Sequence, residues 1–362
     1  LRVFDKTIGS VLYDTPLANF FGAGSGGDPY VVYDSLAKRW YVSALDSSNN
    51  GLFLRVSNDG NPLNGFLPTY HLTNVGGFPD YQKLGFNHDA IFISYNDFGS
   101  SGGNARIATI DKNSALAGSL VDYISSPAPQ FRAMPAAQMH GSGPGDPEWF
   151  VSVNDGGGNT IRVTKAENYL SNSPTFTDYS LAVTPYKHPS ATGDQPGPGG
   201  GGTVSTEPSV TTTQVQYHNG HLVTAMAGAT AADGFAYDKV LYYQIDVSGG
   251  SPVLLRQGVI DPGPGVQAWM PSVDEDSNGN LGLTWMESSS SEDVAMWVGT
   301  VDTSGNLASA VVAPGGGFMP FAFRSGDYST TVLDGQDGLT FWSANEYIGA
   351  DGGTDIWRTH IT

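Results

Sequence analysis

The chain has 362 residues, 35 Asp and Glu against 16 Lys and Arg, a formal net charge of -19 and no cysteine. Long-range repulsion at that charge disfavours nucleic acid and anionic membrane surfaces as partners. The missing cysteine excludes a disulfide scaffold, a thiolate nucleophile and Cys-ligated zinc, and no apolar run is long enough to insert in a membrane as a helix.

In chain order, the first segment with strand character is SVLYD (10–14). A unit then recurs six times: an apolar run, a tight turn rich in Gly, Asn or Asp, and a second run ending in polar residues. The copies are 29–45, 82–97, 135–155, 211–227, 271–288 and 328–347. Each is followed by a third, alternating run: GLFLRVSND (51–59), ARIATIDK (105–112), TIRVTKA (160–166), KVLYYQIDV (239–247), VAMWVGTVD (294–302) and DIWRTHI (355–361). Alternation with β-branched and aromatic residues marks strands with one face buried. Fourth strands are predicted at 67–73, 121–126, 175–183, 253–260 and 309–313, and the sixth copy has none. A unit that cannot bury its apolar face alone must stack on its neighbours. The expectation is therefore all-β: one domain, 1–362, folded as a six-bladed β-propeller of four-stranded antiparallel blades and closed by the N-terminal strand.

A Pro/Gly-rich tract at about 185–208 breaks the spacing and reads as a long surface loop, either a lid or an insertion without a role. The first residue is Leu1, glycine is abundant and basic residues are few. These features lead us to expect a bacterial protein that is secreted or held at the cell surface, its leader removed.

The segments GDPYVVYDSLAKRWYVS (27–43), FPDYQKLGFNHDAIFISYNDF (78–98), PTFTDYSLAVTPY (174–186) and RSGDYSTTVLDGQDGLTFWSANEY (324–347) resemble the sialidase-type, BNR-like propeller modules of large exported bacterial proteins. The resemblance covers nearly the whole chain and implies the same architecture and export. It implies no reaction, because complete Ser-x-Asp-x-Gly-x-Thr-Trp boxes are absent and SNDG (57–60) is only a fragment.

In such a fold, the loops entering each innermost strand share one end of the axis with the loops between second and third strands. The entry loops supply Asp28, Asp80, Tyr81, Lys83, Arg132, Glu207, Trp269, Arg324, Asp327 and Tyr328; the others add Asp46, Asp97, Asp155, Glu287, Glu346 and Tyr347. Carboxylates, cations and rings around one mouth suit a polysaccharide or other glycan. Asp28, Asp80, Asp327 and Glu346 are the catalytic candidates for glycoside hydrolysis by paired carboxylates. The competing role for each Asp is to cap a turn or bind amides of the next blade. Tyr81, Lys83, Arg132, Glu207, Trp269, Arg324 and Tyr328 are the substrate-binding candidates. Lys83, Arg132 and Arg324 could clamp a uronic carboxylate, which would make a polysaccharide lyase with Tyr81, Tyr328 or His140 as base the second reading. A third is a non-catalytic glycan-binding or adhesion module of a larger surface protein, and a monomer or such a module is the expected state. No cofactor is required. DEDSNGN (274–280) offers calcium ligands at Asp274, Asp276 and Asn278, but Trp285 stands where the closing Glu belongs and the run also fits a plain hairpin turn.

Overall fold

The computed structural model describes the chain except residues 23–24, 74, 100–102, 128–133, 155, 188–191, 198–200, 207–212, 320–323 and 352–353. It is all-β and divides into two compact units, Leu1–Phe150 with Thr164–Asp178, and Val151–Val163 with Tyr179–Thr362.

The first unit opens with a two-stranded antiparallel ribbon, β1 (Arg2–Phe4) and β2 (Val11–Asp14), followed by the short helix α1 (Leu17–Phe21). Two four-stranded antiparallel meanders follow. One is β3 (Ser25–Asp34), β4 (Arg39–Asp46), β5 (Gly51–Val56) and β6 (Tyr70–Leu72). The other is β7 (Phe78–Phe86), β8 (Ala90–Phe98), β9 (Asn104–Asp111) and β10 (Asp122–Ser125), with helix α2 (Lys112–Leu116) between its last two strands. Asp111 caps α2 by accepting from the Ser114 amide. The short strand β11 (Ala137–Met139) lies parallel to β7, Gln138 facing Phe86. Strands β12 (Glu148–Val153), β13 (Gly158–Glu167) and β14 (Thr175–Lys187) each carry residues of both units.

The second unit holds a hairpin, β15 (Thr192–Gln195) with β16 (Gly202–Ser205), and two more four-stranded meanders. These are β17 (Val215–His218), β18 (His221–Thr230), β19 (Asp238–Asp246) and β20 (Val253–Ile260), then β21 (Val266–Glu275), β22 (Leu281–Ser289), β23 (Glu292–Val301) and β24 (Leu307–Ala313). A three-stranded sheet closes the chain: β25 (Thr330–Leu333), β26 (Phe341–Asp351) and β27 (Thr354–Ile361).

Sequence character follows depth. The second strands β8 and β22 are mainly apolar or small-residue runs that turn polar towards their ends, and nearly every residue is buried, as a strand covered on both faces requires. The outer strand β20 alternates exposed with half-buried residues, as one covered face requires. Sheet faces meet through tight cores, such as Val223, Tyr242, Val273, Leu283 and Trp285 in the second unit and Phe92, Ile107, Phe150 and Tyr169 in the first. At Gly258 and Gly282 a strand glycine lies under an aromatic ring: a methyl group at Gly258 would overlap the Tyr242 phenol, and one at Gly282 would overlap the Phe341 ring. Removing the side chain lets the ring lie flat on the backbone, which offsets the poor strand propensity of glycine.

Two expectations are corrected. The segment 10–14 does not complete the last sheet: β2 pairs with β1, and among the described residues β27 pairs only with β26. The 185–208 tract is not wholly a loop, since β14 runs to Lys187 and the β15–β16 hairpin lies within it.

Candidate functional site

In three of the four meanders the register of the first strand slips by one residue near its start. Asp28 and Pro29 together face Ala44, Tyr81 and Gln82 face Tyr95, and Met270 and Pro271 face Trp285. Two residues against one is a β-bulge, and the first residue of each lies in the left-handed region, with φ of 50° at Asp28, 54° at Tyr81 and 49° at Met270. That conformation costs a non-glycine residue about 1–2 kcal/mol, and it persists because the bulge is tied to the sheet that follows. The Asp28 carbonyl accepts from Gln82 Nε2, Asp28 Oδ2 accepts from the Tyr81 amide at 3.4 Å, and the Met270 carbonyl accepts from Asn345 Nδ2 at 3.0 Å.

The bulges change how the candidates align. Asp28 matches Tyr81 and Met270, whereas Asp80 matches Gly27 and Trp269, one residue earlier; the two aspartates are not equivalents. Asp28 makes the contact expected of the structural alternative, binding an amide of the next sheet. Lys83 is fully buried, with its ammonium 3.1 Å from the Tyr81 ring centroid and 5.8 Å from that of Tyr30. Such a cation rests on ring faces inside the first unit and is corrected from a ligand clamp to a core residue. Burial also pushes the Tyr30 hydroxyl far up.

The second unit brings three candidates together. Arg324 Nη2 donates to both Asp327 oxygens, at 2.9 and 2.8 Å. The Arg324 side chain is 64% exposed and that of Asp327 31%, so the pair faces solvent. Glu346, on β26, is pushed up to about 7, mainly by burial and further by the charge of Asp327. An acid that holds its proton near neutrality thus stands within the field of a second carboxylate, itself anchored by a guanidinium. Tyr328 is half-buried beside them.

The hairpin β15–β16 supports this group. The Ser205 carbonyl accepts from the Ser325 amide at 3.0 Å and from its hydroxyl, and Ser205 bridges to Arg324 in parallel register. Trp269, expected to stack on a sugar, is 1% exposed and donates its indole N–H to the Ser325 carbonyl at 3.1 Å. It is corrected to a core residue beneath the site, since a buried ring has no face to offer a ligand.

Glu287 carries more chemistry than its place among the loop acids suggested. It is 4% exposed, accepts from Trp285 Nε1 at 2.5 Å, and is pushed up to about 7 by burial, with Glu292 adding to the shift. Trp and Glu two apart on one strand share a face, so the WME run (285–287) was the available signal.

The calcium expectation is corrected on geometry. Asp276 accepts from the amides of Asn278 and Asn280, both at 2.8 Å, and from Asn280 Nδ2 at 2.9 Å, as a turn carboxylate does. Asp274 lies back in β21 and is occupied by His218 Nε2 at 2.8 Å and by the Leu333 amide at 2.6 Å. The two do not converge on a cation, and the described residues hold no group of three or more His, Asp or Glu placed to bind one. His218, at the β17–β18 turn, is thus the ring partner of Asp274. Arg132 and Glu207 lie outside the described residues, as does Asp155.

No family model matches the chain, and no curated protein matches it. Among solved structures it is similar to a GH43 endo-arabinanase from Bacillus licheniformis, with 15% identity and a TM-score of 0.36 over 79% of this chain and 97% of that one. It is also similar to a neuraminidase-like N10 protein from a little yellow-shouldered bat virus, with 11% identity and a TM-score of 0.40 over 81% and 84%. A Synechocystis apocarotenoid oxygenase variant gives 10% identity and a TM-score of 0.41 over 88% of this chain and 65% of that one.

Proposed function

We propose that the chain is an exported, carbohydrate-active β-propeller with one blade per sequence repeat, and that its second unit hydrolyses glycosidic bonds in a polysaccharide. The observation that carries this reading is Glu346, raised to about 7 beside an Asp327 that Arg324 holds. Glycoside hydrolysis needs one carboxyl that still carries its proton at the working pH and one that is ionised. In this assignment Glu346 protonates the departing glycosidic oxygen. Asp327 meets the positive charge that develops on the sugar, either by bonding to its anomeric carbon or by drawing a proton from the attacking water. Arg324 fixes Asp327 and, being exposed, can also touch sugar hydroxyls.

The test is incubation with neutral polysaccharides (arabinan, xylan) and an acidic one (polygalacturonate), scoring reducing ends and unsaturated products. Reducing ends from the wild type that fall by about 10²–10⁴-fold in E346Q, the range for a lost general acid, support the assignment. Activity should decline as pH rises through about 7, where Glu346 loses its proton. Unsaturated products would instead make the protein a lyase, and binding without turnover would make it a recognition module.

A further inference from the structure

Resting on that reading, we infer that the β15–β16 hairpin positions the Arg324–Asp327–Glu346 group, acting through Gln195 and Ser205 on the backbone that carries Arg324.

The hairpin belongs to a tract whose composition favours no fixed structure, yet its described part is pinned from several sides. Gln195 is fully buried, although its side chain is an amide. Its Nε2 donates to the carbonyls of Thr203, at 2.9 Å, and of Met319, while its Oε1 accepts from the Met319 amide at 3.1 Å. One side chain therefore closes the hairpin on itself and pairs both polar groups of Met319. A buried amide this fully satisfied holds its partners in one geometry, because any shift strands a polar group without water. At the other end of the hairpin, Ser205 pairs with Arg324 and takes both donors of Ser325. Gly193 lies against Ser288 Oγ and Gln267, where a side chain would crowd the seat.

Ser205 thus fixes the backbone at Arg324 and Ser325 themselves, and Gln195 closes the hairpin that carries Ser205. Arg324 in turn sets where the charge of Asp327 lies, and that charge contributes to the proton affinity of Glu346. Arg324 has a solvent-exposed side chain, which side-chain packing alone would leave free to sample many rotamers. A fixed backbone origin narrows that range. Gln195 and Ser205 touch none of the proposed reacting groups; they are positioning residues.

The experiment follows the Glu346 carboxyl directly, by NMR titration of the full-length chain with ¹³C-labelled glutamate, the signal assigned by its loss in E346Q. Gln195→Ala should move the Glu346 midpoint down by about one pH unit, a tenfold change in proton affinity, as the ion pair loosens and water enters. Where an assay exists, the alkaline limb of the activity profile should shift with it. Ser325→Ala, which removes one hydroxyl and keeps the amide, should give a smaller shift in the same direction and stands in if Gln195→Ala does not fold. A midpoint that stays in place while the melting temperature falls would overturn the inference and leave the hairpin a purely structural clamp. A midpoint that moves in a protein that cleaves no polysaccharide would uphold the positioning role and defeat the hydrolase assignment instead.

Discussion

Asp97 in the first unit and Glu287 in the second stand at the same point of their sheets, two residues beyond the one that faces the bulge, and they are used in opposite ways. Asp97 is fully buried and meets Arg106 Nε at 2.7 Å and the Gly77 amide at 2.9 Å. Asp46, at the same point of the first meander, is likewise committed to its loop through the Ser48 amide at 3.2 Å and Asn49 Nδ2 at 2.9 Å. Glu287 reaches one methylene further, and the one hydrogen bond of its carboxyl among the described residues comes from the Trp285 indole. Burial then favours the neutral acid. Position on a sheet selects for a carboxyl; the neighbouring donor decides whether it serves as an anion that holds a loop or as an acid that holds a proton.

The sharpest way to break this contrast is Asp97→Asn. It strips the charge partner from a largely buried guanidinium and should cost about 3 kcal/mol in urea unfolding at pH 7; a loss below about 1 kcal/mol would show that the ion pair contributes little. Glu287→Gln should act in the other direction. A carboxyl whose folded pKa is about 7, against an ordinary 4.5, makes the folded state lose stability as pH rises between those values, and the penalty is complete above pH 7. The variant lacks that penalty, so it should match the wild type near pH 4.5 and exceed it at pH 8, by at most about 3 kcal/mol. Equal stability at both pH values would mean that Glu287 is ionised in the fold. Asp46→Asn keeps an acceptor for the Ser48 amide and should be the mildest, at about 1 kcal/mol; a loss as large as that of Asp97→Asn would point to a charge interaction with His71, 3.7 Å away.

The strands were legible in the sequence because apolar alternation and Gly, Asn and Asp turns report local backbone preference; the third-strand run 239–247 became β19, Asp238–Asp246. The bulges were not. A one-residue slip leaves composition untouched while moving Asp80 out of step with Asp28, and only pairing across strands reveals it. Trp269 and Lys83 were misplaced for a related reason: a ring or a long cation suits a ligand mouth and a sheet interior equally, and burial alone distinguishes them. Asp327 and Glu346 could be named from their positions before and after the last hairpin, but the proton held by Glu346 depends on a depth that sequence does not encode. The β15–β16 hairpin stayed hidden because its support comes from Met319 and Ser325, more than a hundred residues away.

The glycines beneath Tyr242 and Phe341 carry a consequence for how this chain tolerates change. In a library of all single substitutions, turn positions such as Gly305, where a side chain would meet open space, should accept asparagine. Gly258 and Gly282 should reject even alanine, although both lie within strands, where glycine is ordinarily the easiest residue to improve. Variation would then spare these two positions together with the rings that rest on them, and the smallest residues in the chain would mark which strands are neighbours.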